Sequence, residues 1–169
     1  KGDSDAYAVL VDRYRLLAYT VACRMVGDAE TANDIAQESF FAAYAGLRHF
    51  RFGSKFSSWL TSIVLNKCRD HLRSRRPTVS VDEIAEIRAT GRRSPEQEAM
   101  DGETADALQK ALNSLSPDYR EAVILKHIEE LDYQTMSEIL GVSIAALKVR
   151  THRGREMLKD LLMRSGVTP

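Results

Sequence analysis

Apolar residues recur along the chain at steps of three and four, which is the spacing of one face of an α-helix. The first such segment covers about residues 5–26 and ends at Gly27. Asp28 is then suited to be the N-cap of a second helix. After a loop at residues 48–55, a third helix is expected from about Phe56 to the residues before Pro77. No segment shows the alternation of a β-strand, so the sequence predicts an all-α fold.

Helical spacing returns at residue 108. Ser116 before Pro117 is typical of an N-cap followed by proline at the first helical position, and predicts a helix over residues 117–130. Two further helices, each with its own capping residue, are expected after it: Asp132 before Tyr133–Leu140, and Ser143 before Ile144–Leu162.

The segment between these two helical halves, residues 77–107, contains two prolines and two glycines and lacks a strong apolar period. Such a composition predicts a flexible linker. We therefore expect two small helical domains, residues 1–76 and 108–169, joined by the linker 77–107.

Charge is segregated along the chain, although 24 basic and 24 acidic side chains give a net charge of zero. Residues 48–76 carry eight basic side chains and one acidic one, whereas the linker carries three basic and eight acidic ones. A second basic stretch lies within residues 142–159. Phosphate binding requires local positive charge rather than a basic average. One basic run is most often a solvated helix face, but two runs on separate helical units favour nucleic-acid binding.

The last two helices have the pattern of a helix-turn-helix. Gly141 suits a left-handed residue at the end of the first helix, and Ser143 suits the start of the second. In the second helix, Leu147 and Thr151 fall on the face expected to be buried, while Lys148 and Arg153 fall outside it. An outward basic face near the start of the second helix is what a major-groove reader needs. A helical hairpin with a charged outer face is the alternative.

The loop before the third helix mixes aromatic and basic residues, an arrangement that suits unstacked bases because rings stack on base faces while cations hold phosphates. Phe56 and Trp59 are better explained as core residues, since they begin the apolar stripe of the third helix, whereas Phe52 beside Gly53 is expected to be exposed. The candidates for nucleic-acid contact in this half are Arg51, Phe52, Lys55, Asn66, Arg69, Arg73 and Arg76.

One face of the second helix is acidic and lies opposite its apolar stripe. A solvated surface is the usual explanation for such a face. An aromatic residue among the carboxylates instead suggests a partner surface. We call this set the acidic face: Glu30, Asp34, Gln37, Glu38 and Phe41.

Several function classes are disfavoured. The four histidines are scattered without metal-ligand spacing, so a helical enzyme is not expected, nor is any cofactor. Cys23 and Cys68 fall among expected core positions, where a free buried cysteine is common. No apolar run approaches the ~18 residues of a membrane span, and the chain opens without a signal sequence, so a cytoplasmic protein is expected. A dimeric helix-turn-helix repressor or activator remains an alternative.

Taken together, two blocks of sequence resemble a known family. The first comprises Asp28–Phe40 (DAETANDIAQESF) and Phe56–Leu60 (FSSWL), and resembles the core region of bacterial sigma factors. The second resembles the promoter −35 reading domain of the same family, in the segments Leu115–Glu121 (LSPDYRE), Met136–Ser143 (MSEILGVS) and Lys148–Arg155 (KVRTHRGR). With two domains only, the chain is similar to the extracytoplasmic-function (ECF) group.

The resemblance implies a dissociable subunit of RNA polymerase that is monomeric when free and is held by an anti-sigma factor. It implies that the acidic face docks on core polymerase. The aromatic loop and the third helix would then contact and melt the −10 element of promoter DNA, and the last helix would read the −35 element.

The last helix departs from the family pattern at Ala145 and Ala146, where a Gly-Thr pair is common, and at Val149, where a small polar residue is frequent. Val149 cannot hydrogen-bond a base but can meet a thymine methyl group. The −35 candidates are therefore Lys148, His152 and Arg153 on base edges, Val149 on a methyl group, and Arg150 and Arg155 on phosphates.

Overall fold

The structure, a computed structural model, describes residues 4–50, 53, 55–75 and 98–166, with only the backbone of residues 4 and 98–103. Every regular element within these ranges is helical, which confirms the predicted all-α class. The elements are α1 (Ser4–Val26), α2 (Ala29–Gly46), a 3₁₀ turn (Leu47–His49), α3 (Phe56–Ser74), α4 (Glu98–Asn113), α5 (Pro117–Val123), a π-helical turn (Ile124–Ile128), α6 (Tyr133–Leu140) and α7 (Ile144–Arg164).

Helix starts follow the capping residues expected from the sequence, with one exception. The Asp28 carboxylate accepts a hydrogen bond from the Thr31 amide at 2.8 Å, and Asp132 accepts one from the Thr135 amide at the same distance. The Ser143 hydroxyl oxygen accepts from the Ala146 amide at 3.3 Å. Ser116 holds the N-cap position before Pro117, but its side chain makes no capping hydrogen bond.

Two helices differ from their predicted extent. α4 begins at Glu98, inside the segment predicted as a linker, whereas residues 76–97 lie outside the described residues. The helix expected over residues 117–130 changes pitch at Ile124, where the Glu129 amide donates to the Ile124 carbonyl five residues back at 2.9 Å. Such a turn is a local widening that simple periodicity does not reveal.

Helices α1, α2 and α3 form an N-terminal module around one apolar core. Val21 and Met25 of α1 are fully buried, as are Leu60 and Val64 of α3. The Tyr7 hydroxyl donates to the Phe40 carbonyl at 2.6 Å and ties α1 to α2. The core fixes which faces of α2 and α3 remain exposed.

Helices α4 to α7 form a C-terminal module in which α7 lies against α5. Gly154 makes this approach possible, because a Cβ atom there would stand 2.7 Å from Cγ2 of Val123. Between α6 and α7, Gly141 adopts φ +66°, a left-handed conformation that costs glycine little. The predicted helix-turn-helix is therefore confirmed as a structural unit.

The two modules pack against each other, a contact that the sequence did not predict. Buried apolar residues of both modules belong to one continuous cluster. The Gln109 side-chain amide of α4 donates to the Arg24 carbonyl of α1 at 3.1 Å. α5 contributes Arg120, which donates to the Met25 carbonyl. The C-terminal module thus rests on the end of α1 and on α3.

Candidate polymerase and nucleic-acid interfaces

The acidic face lies on the exposed side of α2. Glu30, Asp34, Gln37 and Glu38 are all exposed, while Ala32, Ile35, Ala36 and Phe40 are buried on the opposite side. Phe41 is 75% exposed, an unusual position for a phenylalanine. Glu38 accepts a hydrogen bond from Lys67 of α3 at 2.8 Å, so this edge of the face is braced by the neighbouring helix.

The aromatic residues around the start of α3 form a cluster rather than a free loop. The ring of Phe50 lies 6.0 Å from that of Phe56 and 5.1 Å from that of Trp59, between centroids. Phe56 also approaches Tyr14 at 5.3 Å. Phe56 and Trp59 are partly buried against the core, as their stripe predicted. Lys55 is exposed at the edge of the cluster, whereas Arg51 and Phe52 lie outside the described residues.

The basic side of α3 is divided between solvent and the C-terminal module. Asn66 and Arg73 are exposed, and Arg73 lies 3.7 Å from Asp70 in a solvated ion pair. Arg69 instead turns toward Glu121 of α5, with Nη2 and Nε at 2.7 and 2.9 Å from the same carboxylate oxygen. Arg76 lies outside the described residues.

α7 presents a continuous outer surface that we call the basic face, consisting of Lys148, Val149, His152 and Arg153. All four are exposed, and Val149 is 50% exposed. Leu147, Thr151 and Gly154 are buried on the opposite side. This arrangement matches the two faces predicted for the helix and leaves the basic face free to enter a groove.

The two arginines expected on phosphates have different surroundings. Arg155 is exposed and lies 3.2 Å from Glu156. Arg150 is only partly exposed and points toward α5, where Nη2 lies 3.1 Å from Asp118 and Nη1 lies 3.8 Å from Glu121. In this structure Arg150 holds α7 against α5, so a phosphate would have to compete with these carboxylates.

Burial is the main cause of the pKa shifts of two ionisable groups at the contact between the modules. Burial raises the pKa of the Glu121 carboxyl, and the Arg69 guanidinium opposes that rise. Burial also lowers the pKa of Arg120 to about 10, so the guanidinium remains charged at neutral pH. Sequence reasoning missed both residues as contact residues; the available signal was that these two charges directly precede the apolar run Ala122–Leu125.

The described ranges offer little support for a metal site or a reactive thiol. There, no group of three or more histidine, cysteine, aspartate or glutamate side chains could hold a metal ion. Cys68 is fully buried and burial raises its pKa to about 12, which makes the thiolate scarce. No helix in the described part of the chain combines the length and apolarity needed to cross a membrane.

Comparison with family models matches both modules. The model for Sigma-70 region 2 matches residues 10–78, and the model for Sigma-70, region 4 matches residues 105–158. The ECF RNA polymerase sigma factor SigW of Bacillus subtilis is 36% identical over 171 residues, which cover 96% of this chain and 91% of that protein. The RNA polymerase sigma-H factor of Pseudomonas aeruginosa is 32% identical over 171 residues, covering 96% of this chain and 89% of that protein.

Solved structures agree with this assignment. The sigma factor RpoE of Bartonella quintana, in complex with the anti-sigma factor NepR, superposes with a TM-score of 0.71 at 26% identity, covering 94% of this chain and 97% of that chain. CnrH, in complex with the cytosolic domain of CnrY, also gives a TM-score of 0.71, at 30% identity and with 96% and 91% of the two chains covered. The chain therefore belongs to the ECF group of RNA polymerase sigma factors.

Proposed function

We propose that this sigma factor works through three surfaces: the acidic face for core RNA polymerase, the start of α3 and its basic side for the −10 element, and the basic face of α7 for the −35 element. The observation that carries the proposal is the separation of faces on α7. Lys148, Val149, His152 and Arg153 are exposed together while the other side of the helix is buried. A helix held in this way can enter a major groove without disturbing its own core.

At the −35 element, Lys148, His152 and Arg153 are the residues that would meet base edges. A good bidentate contact from such a side chain discriminates between bases by about 1–3 kcal/mol. Val149 would meet a thymine methyl group, and Arg155 a phosphate.

At the −10 element, the module would trap a base that has left the duplex stack. Unstacking a base costs a few kcal/mol, and stacking on an aromatic ring returns about 1–3 kcal/mol per base. Lys55, Asn66 and Arg73 are exposed near this region and would hold the strand.

Core polymerase would bind the acidic face, with Phe41 as its apolar anchor. An exposed aromatic ring surrounded by carboxylates supports a protein partner rather than a nucleic acid, because phosphates would be repelled there. No covalent chemistry is required of this chain. We therefore propose a cytoplasmic, non-enzymatic subunit that is monomeric when free.

We further propose that an anti-sigma factor holds this chain until it is needed. Support comes from the similar structure of the sigma factor RpoE, which is a complex with the anti-sigma factor NepR. Such a partner would cover the acidic face, the DNA-binding surfaces, or both.

The proposal is tested by measuring promoter binding with and without polymerase. The purified chain alone should show negligible affinity for promoter duplex, and the chain with core polymerase should bind that duplex in preference to one with a scrambled −35 element. Tight binding by the chain alone, as a symmetric dimer, would instead indicate a helix-turn-helix repressor or activator.

A further inference from the structure

The two sides of α7 that border its buried stripe carry one arginine each. At 3.6 residues per turn, Arg150 and Arg155 lie about 140° apart around the helix axis. Between them runs the buried stripe formed by Leu147, Thr151 and Gly154. An α-helix with its side chains is about as wide as a major groove, so a helix in the groove turns each side toward one wall of phosphates. We call these sides the Arg150 flank and the Arg155 flank.

The Arg150 flank is covered by carboxylates of α5. Nη2 of Arg150 lies 3.1 Å from Asp118 and Nη1 lies 3.8 Å from Glu121, so both terminal nitrogens of the guanidinium face a carboxylate. The Arg150 side chain is 28% exposed, whereas that of Asp118 is 62% exposed. Asp118 lies in the first turn of α5, where the helix dipole favours a negative charge. A phosphate that approached this flank would meet the Asp118 carboxylate as well as the cation.

The Arg155 flank is more positive. Lys148 precedes Arg155 by seven residues, so the two fall on the same side of α7. Lys126 of the π-helical turn and Lys148 both lie over the Tyr133 ring, at 4.9 and 5.9 Å from its centroid, which brings a further cation to this side. Arg155 does have a carboxylate neighbour, Glu156 at 3.2 Å, but both side chains are more than half exposed. Such a solvated pair is weak, so a phosphate can replace it.

We propose that α7 contacts the DNA backbone on one side only: the Arg155 flank holds phosphates, and Asp118 withholds Arg150 from the opposite wall. The inference deepens the proposed function and rests on it, since α7 must enter a groove for its flanks to meet phosphates. A phosphate contact adds affinity for every sequence alike. By pairing with Arg150, Asp118 prevents one such contact and so limits binding to DNA that lacks a −35 element.

The proposal is tested by the salt dependence of DNA binding by the full chain in complex with core polymerase. Two short duplexes serve as probes: one carries the upstream block of a start site that this holoenzyme selects, and the other carries the same bases scrambled. Asp118→Asn keeps the size of the side chain and removes its charge. Affinity for both duplexes should rise by about two- to fivefold at low salt, the range of an exposed ion pair. The slope of log affinity against log salt should become steeper by about 0.9, the value for one additional phosphate contact.

Two comparisons assign this effect to Arg150. In a chain that already carries Arg150→Gln, adding Asp118→Asn should change neither the affinity nor the slope, because no cation is left to release. Glu138→Gln of α6 is the matched control for the loss of one negative charge, since Glu138 is exposed and accepts a hydrogen bond from Gln134 at 3.3 Å. Its slope should equal that of the unsubstituted chain. Circular dichroism verifies that each variant is folded.

Uncharged methylphosphonate linkages locate the additional contact without any change at Arg150. They are placed singly along each strand of the duplex, and binding is measured for the unsubstituted and the Asp118→Asn holoenzyme. Asp118→Asn should become sensitive to a linkage on the wall that faces α5, at a position where the unsubstituted holoenzyme is insensitive.

An unchanged slope in Asp118→Asn, a gain that persists alongside Arg150→Gln, or the absence of a newly sensitive linkage would overturn the proposal. The two duplexes separate this result from failure of the proposed function. If Asp118→Asn steepens the slope but the holoenzyme binds both duplexes equally, the one-sided contact stands and the assignment of α7 to the −35 element fails. If the holoenzyme prefers the correct duplex but Asp118→Asn changes nothing, the assignment stands and the one-sided contact fails.

Discussion

Helices α2 and α7 are built on the same plan and expose opposite charges. Each buries one apolar stripe and carries an exposed apolar side chain among the charged residues of its proposed binding face, Phe41 at 75% exposure and Val149 at 50%. Around Phe41 the charges are carboxylates, whereas around Val149 they are basic. The amphipathic pattern determines how both helices pack. The sign of the outer charge is what distinguishes the partners we propose, a protein for α2 and a phosphate backbone for α7.

The largest expected effect is a difference in the free energy of unfolding between substitutions on the two faces of α2. Phe40 is 8% exposed in the core, so Phe40→Ala should lower the free energy of unfolding by about 3–5 kcal/mol. Phe41→Ala, at the adjacent exposed position, should change it by no more than about 0.5 kcal/mol. Urea denaturation followed by circular dichroism measures both. Equal losses in the two variants would mean that Phe41 is a core residue and that α2 has no free face.

The next largest effect concerns binding of polymerase. Phe41→Ala should weaken binding to core polymerase by about 30-fold or more, as expected when a central aromatic anchor is removed. Val149→Ala removes the corresponding apolar side chain from α7 and should leave that affinity nearly unchanged. Titration of labelled chain with core polymerase gives both affinities. Normal assembly by Phe41→Ala would remove the main reason for assigning α2 to a protein partner.

A smaller effect tests the basic face of α7. Arg153→Ala should reduce the preference of the holoenzyme for a correct −35 duplex over a scrambled one by about 5- to 150-fold, which corresponds to about 1–3 kcal/mol of base discrimination. Arg155→Ala should weaken binding to both duplexes alike, because a phosphate contact carries no sequence information. Equal losses on both duplexes for Arg153→Ala would reassign that residue to a phosphate.

The smallest effect concerns the cap of α2. Asp28→Ala should cost about 1 kcal/mol of stability, whereas Asp28→Asn should cost less, because asparagine also caps the helix but lacks the charge. Hydrogen bonds from the Thr31 side chain and amide lower the pKa of Asp28 in the folded protein. The charged carboxylate therefore stabilises the folded state at pH values above the pKa that Asp28 has in the unfolded chain. That contribution should disappear as the pH falls through the lowered folded pKa. Stability curves against pH should therefore converge for wild type and Asp28→Asn in acid; a constant gap between them would contradict this reasoning.

The helices and their exposed faces could be predicted well from the sequence, because the periodicity of apolar residues and helix capping are local properties. The faces of α7 and the caps at Asp28, Asp132 and Ser143 follow from residues within one turn of each other. The contact between the modules could not be predicted in this way. Arg69 and Arg73 lie one turn apart on the same side of α3, so periodicity treats them alike. Arg69 nevertheless pairs with Glu121, whereas Arg73 is solvated. Packing between elements distant in sequence makes that distinction, and periodicity contains no information about it.

The most direct test of the central claim is to transcribe a genomic promoter library with core polymerase and this chain, and to sequence the transcript starts. The account predicts start sites that are absent with core polymerase alone and that share a −35 and a −10 block, with Arg153→Ala relaxing the −35 block only. Start sites without a shared upstream sequence, or the same starts with and without the chain, would contradict it.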